Sequence, residues 1–145
     1  MPSFEPLFTT QLSTIMASIF TKIINREIPG HIVAENEHAI AFLDIRPLTK
    51  GHTLVVPKQE VDYYFDLDDV LYIQLNLFAK QVAMAIKKVI ACERIATAVI
   101  GLEVPHAHIH LIPINSMSDA NFSNPKLDLS AEEMAHIAGQ IRAAL

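Results

Sequence analysis

Residues 104 to 113 read VPHAHIHLIP, with histidine at 106, 108 and 110 and apolar side chains at 107, 109 and 111. Extended backbone sends successive side chains to opposite faces, so a strand here carries the imidazoles on one face and Ala107, Ile109 and Leu111 on the other. The flanking Val104, Ile112 and Ile114 suit a strand. Pro105 and Pro113 are expected to mark its ends, because proline is excluded from the interior of a central strand. One face is ordinary core. The other holds three of the chain's seven histidines, and burying them needs a chemical reason.

The rest of the chain supplies partners for that strand. Ser18 is placed to cap a short helix bearing Ile19, Phe20, Ile23 and Ile24, which stops before Pro29-Gly30. HIVAE (31–35) and AIAFLDI (39–45) form an expected hairpin, and HTLVVP (52–57) a third strand after the turn at 46–51. Asp66 is the expected cap of a long helix running to Val89, with Leu71, Leu75, Phe78, Val82, Ala85 and Val89 in one stripe. Ile73, Leu77 and Met84 give that helix a second apolar side, which a partner subunit would cover. ATAVIG (96–101) is a fourth strand. Residues 115–129 form a polar loop, and Ser130 with Glu133 makes a capping box for a last helix. Strands and helices do not alternate regularly, so the expected class is α+β, with a mainly antiparallel five-stranded sheet, a long helix and short flanking helices.

Three roles for the histidines are open. They can be structural groups satisfied by hydrogen bonds, although clustered imidazoles repel once protonated and add little to packing. They can bind a metal, with Asp44, His52 or Glu103 completing the set, but no ligand motif such as HExxH accompanies them. Or one can attack phosphorus, since an imidazole of ordinary pKa, about 6.5, is largely neutral and nucleophilic at physiological pH. Its neighbours would then orient it and donate to phosphoryl oxygens. Asp44 bears on this choice, because an acid within AIAFLDI is costly if buried unpaired and a diol can satisfy both its oxygens.

HAHIHLI resembles the His-φ-His-φ-His-φ-φ signature of the histidine-triad (HIT) superfamily, where φ is apolar. SIFTKIINREIPGHIVAENEHAIAFLDIRPLTKGHTLVVPK (18–58) resembles the N-terminal half of its Hint-like branch, and the likeness runs from about Ser18 to Asn115. The resemblance implies a HIT-like fold and nucleotidyl transfer to His108 followed by hydrolysis, releasing a nucleoside monophosphate. It implies that His110 contacts the phosphoryl group, that His106 supports the site and that His52 hydrogen-bonds within the cluster. It further implies Asp44 at the ribose hydroxyls, and Phe20, Ile23, Ile28, Phe42 and Ile45 around the base, with purines the plausible bases. Gly101 and Val104 belong to the segment that contacts the phosphate. Relatives carry Gly-Gln-Ser/Thr-Val there, whereas this chain reads Gly101-Leu102-Glu103-Val104. Leu102 donates nothing from its side chain, and Glu103 would repel an anion if it faced inward. Zinc-binding relatives carry Cys-x-x-Cys where this chain has SIFT, so neither a metal nor another cofactor is expected.

Composition sets the remaining bounds. With 145 residues, 51% hydrophobic and 19% charged, the chain suits one globular domain over 16–145, with residues 1–15 a loosely ordered extension. A net charge of −5 without a basic run argues against nucleic acid as a partner. The single Cys92 fits a reducing cytoplasm, and neither a secretion signal nor a membrane span is expected. The expected partners are a purine nucleotide or nucleotide conjugate and a second copy of the chain. A binding or interaction module with vestigial catalysis is the rival reading, motivated by Leu102 and Glu103.

Overall fold

The computed structural model describes residues 17–145, and the extension expected over 1–15 lies outside them. Strands β1 (Ile32–Glu35), β2 (Ala39–Leu43), β3 (Thr53–Pro57), β4 (Arg94–Ala98) and β5 (Ile109–Ile114) form one sheet in the order β1-β2-β3-β5-β4. Every neighbouring pair is antiparallel, as expected for the α+β class. Helix α1 (Ile19–Ile24) lies on one face, and α2 (Asp69–Val89) with α3 (Ala131–Ala143) on the other.

Period-two alternation explains why both faces are covered. Ala39, Ala41, Leu43, Val55, Ile109 and Leu111 join Leu75, Phe78, Val82 and Ile86 of α2 and Ile137 and Ile141 of α3 in the larger core. Ile40, Phe42, Leu54 and Val56 point the other way and meet Phe20 and Ile23 of α1 in a smaller one. The triad histidines belong to that second face, so α1 and the central strands decide what surrounds them.

Several boundaries differ from the sequence reading, and β2 stops at Leu43, short of the expected Ile45. Asp66 does not cap α2. It ends a 3₁₀ turn over Tyr64–Asp66, and Asp68 caps instead, accepting the Leu71 N–H at 2.9 Å. The turn buries Tyr64 and Leu67, which leaves Asp66 facing solvent. Strand β4 is shifted toward the N-terminus, since it pairs with β5 over Arg94–Ala98 and leaves Val99–Gly101 outside the ladder. Strand β5 begins only at Ile109, yet alternate burial continues back through Ala107 into the core. Pro113 lies within β5 rather than ending it. Its carbonyl accepts from Thr49 Oγ1 at 2.8 Å on the β3 side, where the β3 ladder has already stopped at Leu111. N and C=O of one strand residue point the same way, so the missing N–H removes no ladder bond there.

Only half of the expected capping box forms on α3. Ser130 Oγ accepts the Glu133 N–H at 3.1 Å, whereas the Glu133 carboxylate turns to Lys50 at 2.8 Å. On α2, Val70, Ile73, Leu77 and Met84 are all more than half exposed, so the second apolar side is real and uncovered in a single chain. No helix among the described residues is long and apolar enough to cross a membrane.

Candidate functional site

The site lies where β3, β5 and the loops around them converge beneath α1. Gly51 makes the sharp entry to β3 that delivers His52. Its φ is +89°, and an added Cβ would stand 2.9 Å from Ile90 Cγ1, so both conformation and space require glycine. His52, His106, His108 and His110 are each at most 8% exposed. Phe20 stands edge-on to His108, with centroids 4.9 Å apart, and packs against Phe42 at 5.5 Å.

Backbone contacts fix which nitrogen of His52, His106 and His108 carries the proton, and His52 in turn fixes that of His110; these tautomers are assigned from the partners. The Leu48 N–H donates to His52 Nδ1 at 3.0 Å, so in the neutral ring the proton sits on Nε2. His52 Nε2 is 3.0 Å from His110 Nδ1 and donates to it, which leaves the His110 proton on its own Nε2. His108 Nδ1 lies 2.8 Å from the His106 carbonyl and donates there, so His108 Nε2 is a bare lone pair. His106 Nε2 donates to the Pro57 carbonyl at 2.8 Å, and its Nδ1 accepts from Ser18 Oγ at 2.7 Å.

All four rings are held neutral. Burial, then the neighbouring His110, pushes His52 down to about 3, and burial with the adjacent His108 pushes His110 down to about 4. Burial likewise lowers His106 and His108, outweighing the carbonyls and carboxylates near them. The 3.7 Å approach of His52 Nε2 to Asp44 Oδ2 is therefore not an ion pair.

Among the described residues no buried side-chain nitrogen or oxygen lacks a partner. His108 Nε2 and His110 Nε2 carry no such bond, so they are the ring atoms that reach the accessible surface. A lone pair and an N–H donor thus stand side by side, on rings whose centroids are 4.8 Å apart.

Asp44 follows β2 and is half-buried. Its Oδ1 accepts the Arg46 N–H at 2.9 Å, and burial raises its pKa despite that bond and the nearby His108. Glu103 is exposed, but its charge still reaches Asp44 and His108 and raises both. Asp44, His52 and His110 also offer one donor atom each within 4.8 Å of one another, a spacing a metal could span. The tautomer opposes that use. A metal on His52 Nε2 needs the ring proton on Nδ1, where the Leu48 N–H already points.

Of the other sequence candidates, Phe20, Ile23 and Phe42 are buried in one cluster that meets the histidines through Phe20, with Ile28 and Val104 packed partly against it. Ile45 is not brought in, being 78% exposed. Gly101 sits in open space in the left-handed region, with φ +74°. Sequence reading missed Phe122. From the loop after β5 it stands edge-on to His110 at 4.9 Å and His52 at 6.3 Å, walling the cluster off from that side. Lys126 lies 5.9 Å from the Phe122 ring, and the Leu127 N–H ties the loop to the Pro47 carbonyl at 2.8 Å. A lone aromatic amid polar residues was the available signal.

The model of the HIT domain matches residues 25–117. An uncharacterized HIT-like protein of Borreliella burgdorferi is 36% identical over 131 residues, covering 85% of this chain and 94% of its own. An adenosine 5′-monophosphoramidase of Saccharomyces cerevisiae is 37% identical over 98 residues, 67% of this chain and 62% of that protein. The crystal structure of a HIT-like protein of Bartonella henselae, described as involved in cell-cycle regulation, is similar with a TM-score of 0.79 and 32% identity. That likeness covers 89% of this chain and 96% of that one.

Proposed function

The chain belongs to the HIT family, and on that premise we propose that it is a nucleotide hydrolase working through a nucleotidyl-histidine intermediate. The observation that carries the reading is the open pair of ring nitrogens, the bare His108 Nε2 beside the His110 Nε2–H. In the first step the His108 lone pair forms a bond to the α-phosphorus of a nucleoside phosphoramidate. The P–N bond breaks as the leaving nitrogen takes a proton from solvent and departs as an amine, and the water that attacks in the second step returns a proton to solvent. The ring then bears positive charge, which the His106 carbonyl stabilises through Nδ1–H. His110 donates to a phosphoryl oxygen as charge builds there. Water attacks phosphorus in the second step, and His108 leaves with its electron pair, so one water is consumed for each nucleoside monophosphate released. His106 and His52 hold tautomers, as derived above.

Asp44 grips the ribose hydroxyls, and Phe20, Ile23, Ile28 and Phe42 flank a purine base, with Gly101 and Val104 on the phosphate side. The yeast phosphoramidase supports this substrate class. The reaction needs neither a metal nor another cofactor, because the attacking lone pair is already present on a neutral ring. We place the protein in the cytoplasm, acting on small nucleotides rather than on nucleic acid or membranes, consistent with its charge of −5 and single cysteine.

The test is turnover of adenosine 5′-phosphoramidate beside its 2′-deoxy counterpart. Release of AMP is expected, with the deoxy substrate slower by more than about tenfold, since a site built to bond a hydroxyl rejects the analogue lacking it. Binding of AMP with no turnover would favour a nucleotide-binding or interaction module, the reading that Glu103 near His108 supports.

The uncovered side of α2 also belongs to this proposal. Val70, Ile73, Leu77 and Met84 would be buried by a second copy across a two-fold axis, giving a homodimer. Light scattering should report twice the chain mass at micromolar concentration, and a monomer there would contradict the pairing.

A further inference from the structure

We infer that Glu60 is a positioning residue for His108, acting through the hydrogen-bond chain Glu60–Thr21/Ser18–His106; the inference rests on the nucleophile reading above. Glu60 follows β3, and its side chain is 37% exposed. Its Oε1 accepts two short bonds from the start of α1, from the Ser18 N–H and from Thr21 Oγ1, each 2.7 Å. Burial alone would raise this carboxyl, but the bonds from Thr21 and Ser18 outweigh it and hold it below its ordinary value.

Proton accounting gives the carboxylate its task. His106 Nε2 donates to Pro57, so Nδ1 needs a donor. Two hydroxyls compete for that place, Ser18 Oγ at 2.7 Å and Thr21 Oγ1 at 3.5 Å. Each has one proton. Glu60 takes the Thr21 proton, which leaves Ser18 Oγ, itself holding the Thr21 N–H at 3.0 Å, as the sole donor to His106. Without Glu60, Thr21 can turn its proton to His106 at 3.5 Å while Ser18 Oγ donates to Thr21 Oγ1 at 3.3 Å, and the network has more than one arrangement.

The consequence reaches the nucleophile because the same residue supplies both ends of the link. The His106 ring is held at both nitrogens, and its carbonyl holds His108 Nδ1 at 2.8 Å. A His106 ring free to turn loosens that carbonyl, and with it the direction of the His108 lone pair. Glu60 touches no reacting atom. Its effect belongs in kcat and not in nucleotide affinity.

The experiment compares Glu60→Ala and Glu60→Gln with the full-length wild type by ¹⁵N-edited NMR of the histidine rings, alongside kcat and KM. Wild type should show His106 protonated on Nε2 and His108 on Nδ1. Glu60→Ala should broaden both sets of ring signals, as the rings lose their single orientation, and lower kcat by about tenfold at unchanged KM, the scale expected of a misaimed reacting group. Glu60→Gln keeps an acceptor oxygen and should restore most of both. Wild-type spectra and kcat in Glu60→Ala, or equal impairment in Glu60→Gln, would overturn the inference. Should Glu60→Ala fail to fold, Ser18→Ala cuts the same chain one link closer to His106, and unchanged His106 signals there would also overturn it. If wild type turns over no nucleotide, the catalytic reading fails, while the ring spectra still decide whether Glu60 holds these rings in one orientation.

Discussion

His108→Ala should release no measurable nucleoside monophosphate and form no covalent adduct. With wild type, alkaline quenching during turnover should trap an adduct whose mass gain is one nucleoside monophosphate less water, on the peptide containing HAHIH. A nitrogen–phosphorus bond of this kind survives base and is lost in acid. Removing the nucleophile of a covalent mechanism lowers turnover by on the order of 10⁴-fold or more. His110→Ala retains the nucleophile and loses one donor to the developing oxyanion, so a fall of roughly 10²–10³-fold is expected. The folded state should change far less. The imidazole contributes one hydrogen bond to the His106 carbonyl and an edge contact with Phe20, so a loss of about 1–2 kcal/mol in stability is expected. Turnover at the wild-type rate by His108→Ala would end the nucleophile reading. Loss of wild-type activity to chelators, restored by zinc, would instead point to a metal.

Acid should unfold the protein earlier than its carboxylates alone would. His52, His106, His108 and His110 all titrate below their ordinary 6.5 when folded, because burial disfavours the charged ring. In the unfolded chain they take up protons near 6.5, so below that pH the unfolded state binds more protons than the folded one. Stability is then fully present above about 6.5 and is lost as pH falls, until about 4 for His110 and about 3 for His52. Each histidine contributes up to about 1.4 kcal/mol per pH unit within its window. Asp44 acts with the opposite sign, since its raised carboxyl keeps a proton longer in the folded state; it offsets one histidine of the four at most. The sum over two pH units reaches several kcal/mol, a large part of a typical domain's 5–15 kcal/mol. Urea midpoints should fall steeply between pH 6.5 and 4.5, and a flat profile there would mean that the rings are not held neutral.

What could be read from sequence was local or periodic. Alternation put Ala107, Ile109 and Leu111 in the core and the imidazoles opposite them, and spacing put the long stripe on α2. Ser18 was legible as a cap, and its hydroxyl does accept the Thr21 N–H. Its bond to His106, across 88 positions, was not legible, because nothing in either segment encodes that they meet. Glu60 and Phe122 were missed for the same reason: their partners arrive only when β3, β5 and the later loop close together. Asp66 was misplaced as a cap because Asp66 and Asp68 carry the same local preference, and the burial of Tyr64 and Leu67 decided between them. Ile45 was assigned to the base pocket by resemblance, although its strand had already ended at Leu43.

That main-chain groups set the tautomers of His52, His106 and His108 has a genetic corollary. The donor to His52 is the amide of residue 48, and the acceptors for His106 and His108 are the carbonyls of residues 57 and 106. Every amino acid brings the same carbonyl, and every one except proline brings the amide. A codon change at 48 can therefore erase the donor directly only by encoding proline, and no change at 57 can erase its acceptor. Drift at 57, and at 48 short of proline, can reshape the surrounding packing while the protons of the site are inherited unchanged.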